Sequence, residues 1–331
     1  MQYLINTLFL NLFAIAHLIL PFPVIRFISC KKMDNRKDKK LKQNKEIYNP
    51  KWNHYAVFWR FIEYPWRPNS KELITFYERQ IREYTAKKPN PKILIFGCTP
   101  ETRDLCSKLK LNVTLFDVNE SMYQGMNLIM KRKPFREKLV LGKWENVTKY
   151  FKNNQFDVIF GDTIHCNLNL KTWDKHFKDI SKILKKEGLY FFSEWCMDFE
   201  KKLSFAEVIK KYKKDKKYFN SFKNRLYIFY QMILGEDCYD WARRSCMFGK
   251  ARKKFKDYAK KNKIASETLE KIWIVGPDFK SNWFGDYMEV DPPSGEIYEL
   301  IFPHFWVKER FIDNSHPVLK FRRDAVMIPK K

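Results

Sequence analysis

Short, uninterrupted apolar runs alternate with amphipathic stretches through the middle of the chain. Each apolar run ends beside a glycine or an acidic residue, and the runs occupy residues 93–96, 113–116, 138–141, 157–160 and 189–193. Runs of this length without polar interruption are typical of parallel strands that are covered on both faces. Helical spacing of apolar residues fills the intervals at residues 102–108, 119–131 and 173–184. The alternation predicts an α/β fold with a Rossmann-like, doubly wound parallel sheet.

The flanking segments extend this prediction. A helix is expected to start at Asn69 or Ser70, with Glu72 in its first turn, because short polar side chains cap helix N-termini. Two strands at residues 305–311 and 318–328 form a terminal antiparallel hairpin, which brings the predicted sheet to seven strands. The intervening residues 194–294 carry basic and aromatic helical runs and are too long for an ordinary connection, so we expect a helical insertion or lid.

Five regions follow from these patterns. Residues 51–193 form the predicted core, 194–294 the insertion and 295–331 the strands that complete the sheet. Residues 31–50 are highly charged, which predicts a disordered linker. Residues 1–30 contain an apolar run from Tyr3 to Leu20 that is either a single membrane anchor, with the bulk of the chain in the cytoplasm, or an extension upstream of a start at Met33. No secretory signal is evident, and we expect a cytoplasmic location.

Composition narrows the class of protein. The chain has 331 residues, of which 45% are hydrophobic and 17% aromatic, so it can bury a large core. Its formal charge of +26 raises nucleic acid as a partner. However, lysines are spread over most predicted helices, which is also the pattern of solvated helix faces. Seven cysteines without short regular spacing indicate free thiols in a reducing compartment rather than a disulfide framework or a metal site.

The stretch from Lys92 to Asp117 carries the candidate chemistry. It reads as strand, turn at Gly97, helix, and a second strand that ends in an acid. An acid at the end of the second strand can accept hydrogen bonds from a ribose diol, and the glycine lets the backbone approach a ligand. The second and third glycines of a dinucleotide-binding turn are missing, which disfavours a pyrophosphate ligand.

The turn sequence Gly97-Cys98-Thr99-Pro100-Glu101 resembles motif I of the class I S-adenosylmethionine-dependent methyltransferases, in a branch that has Gly-x-Thr-Pro-Glu. Arg67-Pro68-Asn69 is similar to an element that covers the cofactor in that branch, and Arg67 would reach the cofactor carboxylate or else stack on neighbouring aromatic rings. The resemblance implies S-adenosylmethionine as cofactor. It implies a binding site made of Arg67, Phe96, Gly97, Cys98, Thr99, Asp117, Val118, Met122, Lys143, Trp144, Asp162 and Thr163.

The resemblance implies a specific contact for three of these positions. Asp117 would hold the ribose, and Met122 would pack over the adenine unless it belongs to the core. Lys143 stands where the family commonly has an acid that contacts the adenine amine, so a backbone group or Trp144 would replace that contact.

The segment 161–167 resembles motif IV of the same family, where catalytic groups gather. Asp162 and His165 are the predicted catalytic residues, with Glu194 as a further candidate base, because a loop imidazole titrates near neutral pH. The alternative for His165 is a loop histidine bonded to the backbone. Cys98, Cys166 and Cys196 fall at strand ends and are expected to be packing residues.

The sequence thus predicts a methyltransferase that acts on a small-molecule acceptor. Two alternatives stay open: a protein that binds S-adenosylmethionine without catalysis, and a methyltransferase that acts on nucleic acid. Trp283, Phe284 and Tyr287, in a loop of the insertion, are candidates to line a binding surface.

Overall fold

The computed structural model describes residue 59, residues 62–276, residue 279 and residues 288–331. Several predictions lie outside the described residues. They concern the apolar run from Tyr3 to Leu20, the start at Met33, the linker, and the three aromatic residues Trp283, Phe284 and Tyr287. Among the described helices, none has both the length and the apolar character needed to cross a bilayer.

A seven-stranded sheet organises the described residues. Its strands, in chain order, are β1 (Ile93–Phe96), β2 (Val113–Asp117), β3 (Glu137–Leu141), β4 (Phe156–Asp162), β5 (Leu184–Trp195), β9 (Phe305–Phe311) and β10 (Arg322–Pro329). They lie in the order β3-β2-β1-β4-β5-β10-β9. The first five pair in parallel, whereas β10 is antiparallel to both β5 and β9. This is the class I methyltransferase fold, and the predicted fold class is confirmed.

Helices connect the strands and cover both faces of the sheet. They are α1 (Lys71–Lys87), α2 (Pro100–Lys108), α3 (Glu120–Asn127), α4 (Val147–Tyr150) and α5 (Trp173–Ile183). The Ser70 hydroxyl accepts a hydrogen bond from the Leu73 amide, and the Asn119 side chain caps α3 in the same way. The cap predicted for α1 is therefore present at Ser70. Helix α3 is shorter than the predicted 119–131, since it ends at Asn127.

Two strand predictions need correction. The predicted turn at Lys185–Gly188 is part of β5, where a register shift against β4 accommodates the extra residues. The Lys185 ammonium pairs with Asp157 on β4 at 2.8 Å, which holds this segment against the sheet. The last strand begins at Arg322, not at residue 318, because Pro317–Phe321 form a short 3-10 helix.

The region between β5 and β9 contains the predicted helices and one feature the sequence did not reveal. The helices are α6 (Phe205–Lys214), α7 (Phe222–Gly235), α8 (Phe248–Lys261) and α9 (Ser266–Ile272), followed by α10 (Ser294–Ile301). The additional feature is a small antiparallel sheet of β6 (Tyr239–Asp240), β7 (Ser245–Met247) and β8 (Met288–Val290). Such short strands are hard to recognise from sequence because they contain too few residues to show alternation.

Two apolar clusters, one on each face, hold the large sheet. One contains Ile95, Leu115 and Phe191 and continues into the insertion through Tyr230 and Phe248. The other contains Phe96, Phe116 and Phe192 together with helix α5. Because the first cluster is shared, the insertion packs as a continuation of the sheet's core. The described residues accordingly belong to one compact unit.

Candidate functional site

The turn after β1 has the conformation that the predicted cofactor site requires. Gly97 has φ +79°, a left-handed conformation that favours glycine. Its amide donates to the Phe116 carbonyl at 2.9 Å, which ties the turn to β2. A Cβ atom at this position would lie 3.8 Å from both Asp117 Oδ2 and Trp144 Cζ2. The turn, the acid and the indole therefore converge at the carboxyl edge of the sheet.

Asp117 ends β2 beside this turn. It is 5% exposed, and its Oδ1 accepts a hydrogen bond from the Asn119 amide at 2.9 Å. Burial raises the pKa of this carboxyl to about 6. Oδ1 is occupied by this hydrogen bond, and Oδ2 faces the Gly97 turn. A carboxylate oxygen that binds a ligand at the turn would need this orientation.

Trp144 forms the third side of this arrangement. Its indole nitrogen donates to the Phe116 carbonyl at 2.8 Å, so the ring is held at the end of β2 while remaining half-buried. Lys143, just before it, is also half-buried, and its carbonyl accepts from the Asn146 amide at 3.0 Å. The Trp144 ring therefore lies as near to the Gly97 turn as the Asp117 carboxylate does.

The remaining predicted cofactor residues divide by position. Cys98 and Thr99 are buried in the turn, while Val118 and Met122 are half-buried after β2. Met122 packs against the apolar cluster that includes Leu115, so part of its surface belongs to the core. The predicted position of the Phe96 side chain in the cofactor site needs correction. Strand alternation directs its side chain into the opposite cluster, where it contacts Phe116 and His176, so only its backbone adjoins the turn.

Arg67 has a different partner from either one predicted. Its guanidinium forms an ion pair with Glu101 at the start of α2 and donates to the Trp59 carbonyl at 2.7 Å. The Trp59 indole also donates to Glu101, at 3.3 Å. This ion pair fastens the segment before α1 to helix α2, and the predicted contact of Arg67 with the cofactor carboxylate stays a prediction.

Asp162, at the end of β4, belongs to a buried ionic network. Its Oδ1 accepts from the Arg322 guanidinium at 2.8 Å, and Arg322 also pairs with Asp324 at 2.9 Å. Asp324 accepts from the Ser193 hydroxyl at 2.6 Å. Burial raises the pKa of Asp162 to about 6, although the Arg322 charge acts in the opposite direction. The network connects the motif IV loop to β5 and β10.

Thr163 follows with φ +47°, which is uncommon for a β-branched residue and therefore strained. The conformation is held by two contacts. The Thr163 amide donates to the Ser193 carbonyl at 2.8 Å, and the Cys166 thiol donates to the Thr163 carbonyl at 2.9 Å. Backbone strain that the surrounding contacts hold in place is common in functional loops.

The environment of His165 differs from the titratable loop position that the sequence suggested. Its ring is fully buried among Trp173, His176 and Phe177, and burial lowers its pKa to about 3. The imidazole therefore does not titrate near neutral pH, contrary to the prediction. Its Nδ1 lies 2.9 Å from Glu194 Oε1, which also accepts from the His165 amide at 2.9 Å. Burial raises the pKa of Glu194 to about 8, so the two side chains form a neutral pair near pH 7.

Sequence reasoning missed four residues of this region: Arg322, Asp324, Glu289 and Asp291. A usable signal existed for the first two, because three consecutive charged residues, Arg322, Arg323 and Asp324, directly precede the apolar part of the last strand. Glu289 and Asp291 lie in the short strand β8 and directly after it, and no pattern in the sequence distinguished them.

Cysteines and metal ligands add little to this site. The six cysteines in the described part of the chain are free and buried, including Cys98, Cys166 and Cys196 as predicted for packing residues. Within the described ranges, no group of three or more histidine, cysteine or acidic side chains has the geometry to hold a metal ion.

Comparisons with known proteins bear on the fold alone. No protein-family model matches the sequence, and no curated protein matches it either. A solved structure from Rhodobacter sphaeroides, described as a Zn-dependent alcohol dehydrogenase, has a TM-score of 0.51 at 12% identity, over 85% of this chain and 99% of that one. The PH0226 protein of Pyrococcus horikoshii has a TM-score of 0.48 at 13% identity, over 84% and 98%.

Several structural neighbours are S-adenosylmethionine-dependent methyltransferases. One, from Methanosarcina mazei, has a TM-score of 0.41 at 12% identity and covers 76% of this chain and 95% of that one. An N-methyltransferase from Bradyrhizobium japonicum was solved with S-adenosyl-L-homocysteine. At these identities the likeness concerns the arrangement of the chain, and the function must be argued from the residues.

Proposed function

We propose that this protein is an S-adenosylmethionine-dependent methyltransferase that acts on a small-molecule acceptor. The observation that carries the proposal is the convergence of Gly97, Asp117 and Trp144 at the carboxyl edge of a sheet with the class I strand order. Ligands of open α/β sheets bind outside the carboxyl ends of the strands, where the connections diverge to the two sides. Gly97 lies at that position, between β2 and β4.

The residues present fit the cofactor's adenosine portion. Asp117 Oδ2 faces the turn and can accept hydrogen bonds from a ribose diol, while Oδ1 is fixed by the Asn119 amide. Trp144 and Val118 offer half-buried apolar surface for the adenine, with Met122 and Lys143 beside them. The backbone of Cys98 and Thr99 would adjoin the methionine portion. When bound, the cofactor supplies an electrophilic methyl group on a sulfonium.

The chain's own contribution to such a reaction is mainly alignment and exclusion of water. Arg322 and Asp324 fix the end of β4, and therefore the loop that follows Asp162. Because Asp162 is already paired with Arg322, we assign it a positioning role rather than that of a free base. His165 orients Glu194 through Oε1, and the other oxygen of Glu194, Oε2, has no hydrogen-bond partner.

Calorimetric titration of the full chain with S-adenosylmethionine, S-adenosylhomocysteine and NAD tests the cofactor. We expect the first two to bind and NAD not to bind, because the turn lacks the glycines that admit a pyrophosphate. Binding of NAD alone would overturn the proposal. Binding of the two sulfur compounds without turnover on any acceptor would favour the non-catalytic alternative.

The variant Asp117→Ala tests the position of the pocket. We expect cofactor affinity to fall about 10- to 100-fold, since a hydrogen bond to a charged group contributes about 1.5–3 kcal/mol. Asp257→Ala is the matched control, because that carboxylate is 68% exposed on α8 and should leave affinity unchanged. Equal affinities for both variants and the unmodified protein would remove Asp117 from the site.

A further inference from the structure

Three carboxyl side chains meet where the insertion packs against the motif IV loop. Glu194 stands near the end of β5, Glu289 is in β8, and Asp291 follows β8. Strand β8 packs against the short 3-10 helix His165–Asn167, and Glu289 pairs in register with Cys246 on β7. The electrostatic interactions of Glu289 with both Asp291 and Glu194 place the three within one group, which we call the acidic cluster.

The acidic cluster is buried and its hydrogen bonding is incomplete. Glu194 is fully buried, Asp291 is 1% exposed and Glu289 is 7% exposed. Neither carboxylate oxygen of Asp291 has a well-formed hydrogen bond, although the Cys246 thiol and the Tyr230 hydroxyl lie close enough to interact with this carboxyl, and Glu194 Oε2 has no partner. No lysine or arginine in the described part of the chain forms an ion pair with any of the three. Buried polar atoms are normally hydrogen-bonded, so three open oxygens at one location need a ligand to explain them.

The surroundings supply little to stabilise negative charge. The thiols of Cys166 and Cys246 and the hydroxyl of Tyr230 lie beside the cluster, and all three are buried. His165, the remaining neighbour, is neutral. Burial accordingly raises the pKa of Asp291 to about 7 and that of Glu289 well above its usual range. In the absence of a cation, the cluster therefore retains protons that a cation would displace.

We propose that the acidic cluster of Glu194, Glu289 and Asp291 binds the ammonium group of the methyl acceptor, which is a primary or secondary amine. A primary ammonium group has three N–H donors, and the cluster offers open oxygens of Asp291 and Glu194 as acceptors. A quaternary ammonium ion has the charge but no donor, so it would leave those oxygens unpaired. The amine's role as acceptor rests on the proposed function, whereas its binding to the cluster does not.

The arrangement also accounts for the proton that must leave the amine. A protonated amine has no lone pair, so its nitrogen becomes nucleophilic only after a base has taken one proton. Asp291 Oδ1 and Oδ2 are open and belong to a carboxyl whose pKa lies near neutrality, so they can hold that proton. Glu194 Oε2 offers a second acceptor, oriented by the bond from Oε1 to His165.

Thermal unfolding of the full chain at pH 7.5 tests the site without reference to turnover. The probes are ethylammonium chloride, tetraethylammonium chloride and sodium chloride at equal ionic strength. We expect ethylammonium at about ten times its dissociation constant to raise Tm by about 2–4 °C, and the other two salts to have no comparable effect. A tetraethylammonium shift equal to that of ethylammonium, or no ethylammonium shift at any concentration, would overturn the proposal.

Substitutions in the acidic cluster test whether the rise in Tm comes from binding at that cluster. Asp291→Asn and Glu289→Gln keep the shape of the side chains and should each abolish the ethylammonium shift, whereas Asp257→Asn, on an exposed face of α8, should retain it. A retained shift in both cluster variants would place the amine elsewhere and overturn the assignment. The use of two cluster variants keeps the test decisive if one of them fails to fold.

The outcome is independent of the cofactor titration. A rise in Tm with ethylammonium but no binding of S-adenosylmethionine would support the amine site and overturn the methyltransferase proposal. Binding of S-adenosylmethionine without a rise in Tm would overturn the amine site and leave the methyltransferase proposal in place.

Discussion

Two groups of buried carboxyls lie on opposite faces of one strand. Ser193 and Glu194 are neighbours in β5, so their side chains point to opposite sides of the sheet. On one side, Ser193 joins the network in which Asp162 and Asp324 share Arg322. On the other side, Glu194 belongs to the acidic cluster, whose open oxygens have no partner.

The difference between the two groups separates structural from ligand-binding acids. In the network, one guanidinium that is 1% exposed pairs with two carboxylates, and the polar atoms are occupied within the fold. Around the acidic cluster, the described residues provide thiols and a hydroxyl but no ion pair, and the Arg322 charge only partly offsets the effect of burial on the pKa of Glu194. A folded chain retains such an unpaired group only at a cost in stability, so the cluster is the better candidate for recognition of a charged ligand.

The largest expected effect comes from removing the shared cation. Arg322→Met leaves Asp162 and Asp324 buried without a counter-charge, and we expect it to lower the free energy of unfolding by about 3–5 kcal/mol. Urea denaturation measures this. Arg323→Met is the matched control, because its ion pair with Asp198 is 25–29% exposed and should contribute at most about 1 kcal/mol. Equal losses in the two variants would break the distinction between the two groups of acids.

The next effect concerns pH. The folded-state pKa values of Asp291 and Glu194 lie above their unfolded values, so the stability they contribute is complete below about pH 4 and is lost as pH rises through 7 and 8. We expect Asp291→Asn to reduce the loss of unfolding free energy between pH 5 and pH 8 by about 2–3 kcal/mol. Urea denaturation at several pH values measures the slope. A slope identical to that of the unmodified protein would show that Asp291 is paired in solution.

The smallest effect is expected at a carboxylate of intermediate burial. Glu101, whose side chain is 11% exposed, accepts from Arg67 and Trp59. The two donors bond different carboxylate oxygens and an amide keeps only one of these acceptors, so Glu101→Gln should lower the free energy of unfolding by about 1 kcal/mol. A loss of unfolding free energy as large as that of Arg322→Met would show that partial exposure does not weaken the Arg67–Glu101 ion pair. Burial would then not distinguish strongly from weakly stabilising acids in this protein.

The sheet and its switch point were largely predictable from the sequence. Uninterrupted apolar runs fixed the positions of β1, β2 and β4, and Gly97 marked the turn because its left-handed conformation excludes most other residues. The motif I branch with Gly-x-Thr-Pro-Glu stays a prediction. So do the positions of the cofactor residues, which no measurement has tested.

The environment of the candidate catalytic groups was not predictable. Asp162 meets Arg322, which is 160 positions away along the chain, and Glu194 meets Glu289 through a three-residue strand. His165 looked like a loop residue because it follows Gly161, Asp162 and Thr163 at the end of a predicted strand, yet the residues that bury it come from α5. Local patterns carry no information about such long-range contacts.

The position of β10 between β5 and β9 has a consequence for how the protein is made. Until Arg322 has left the ribosome, β5 has a free edge and Asp162 has no counter-charge, so the motif IV loop cannot reach its final form. Folding of the sheet is therefore completed only after the whole insertion has emerged. During that interval the exposed edge of β5 is a template for pairing with other chains.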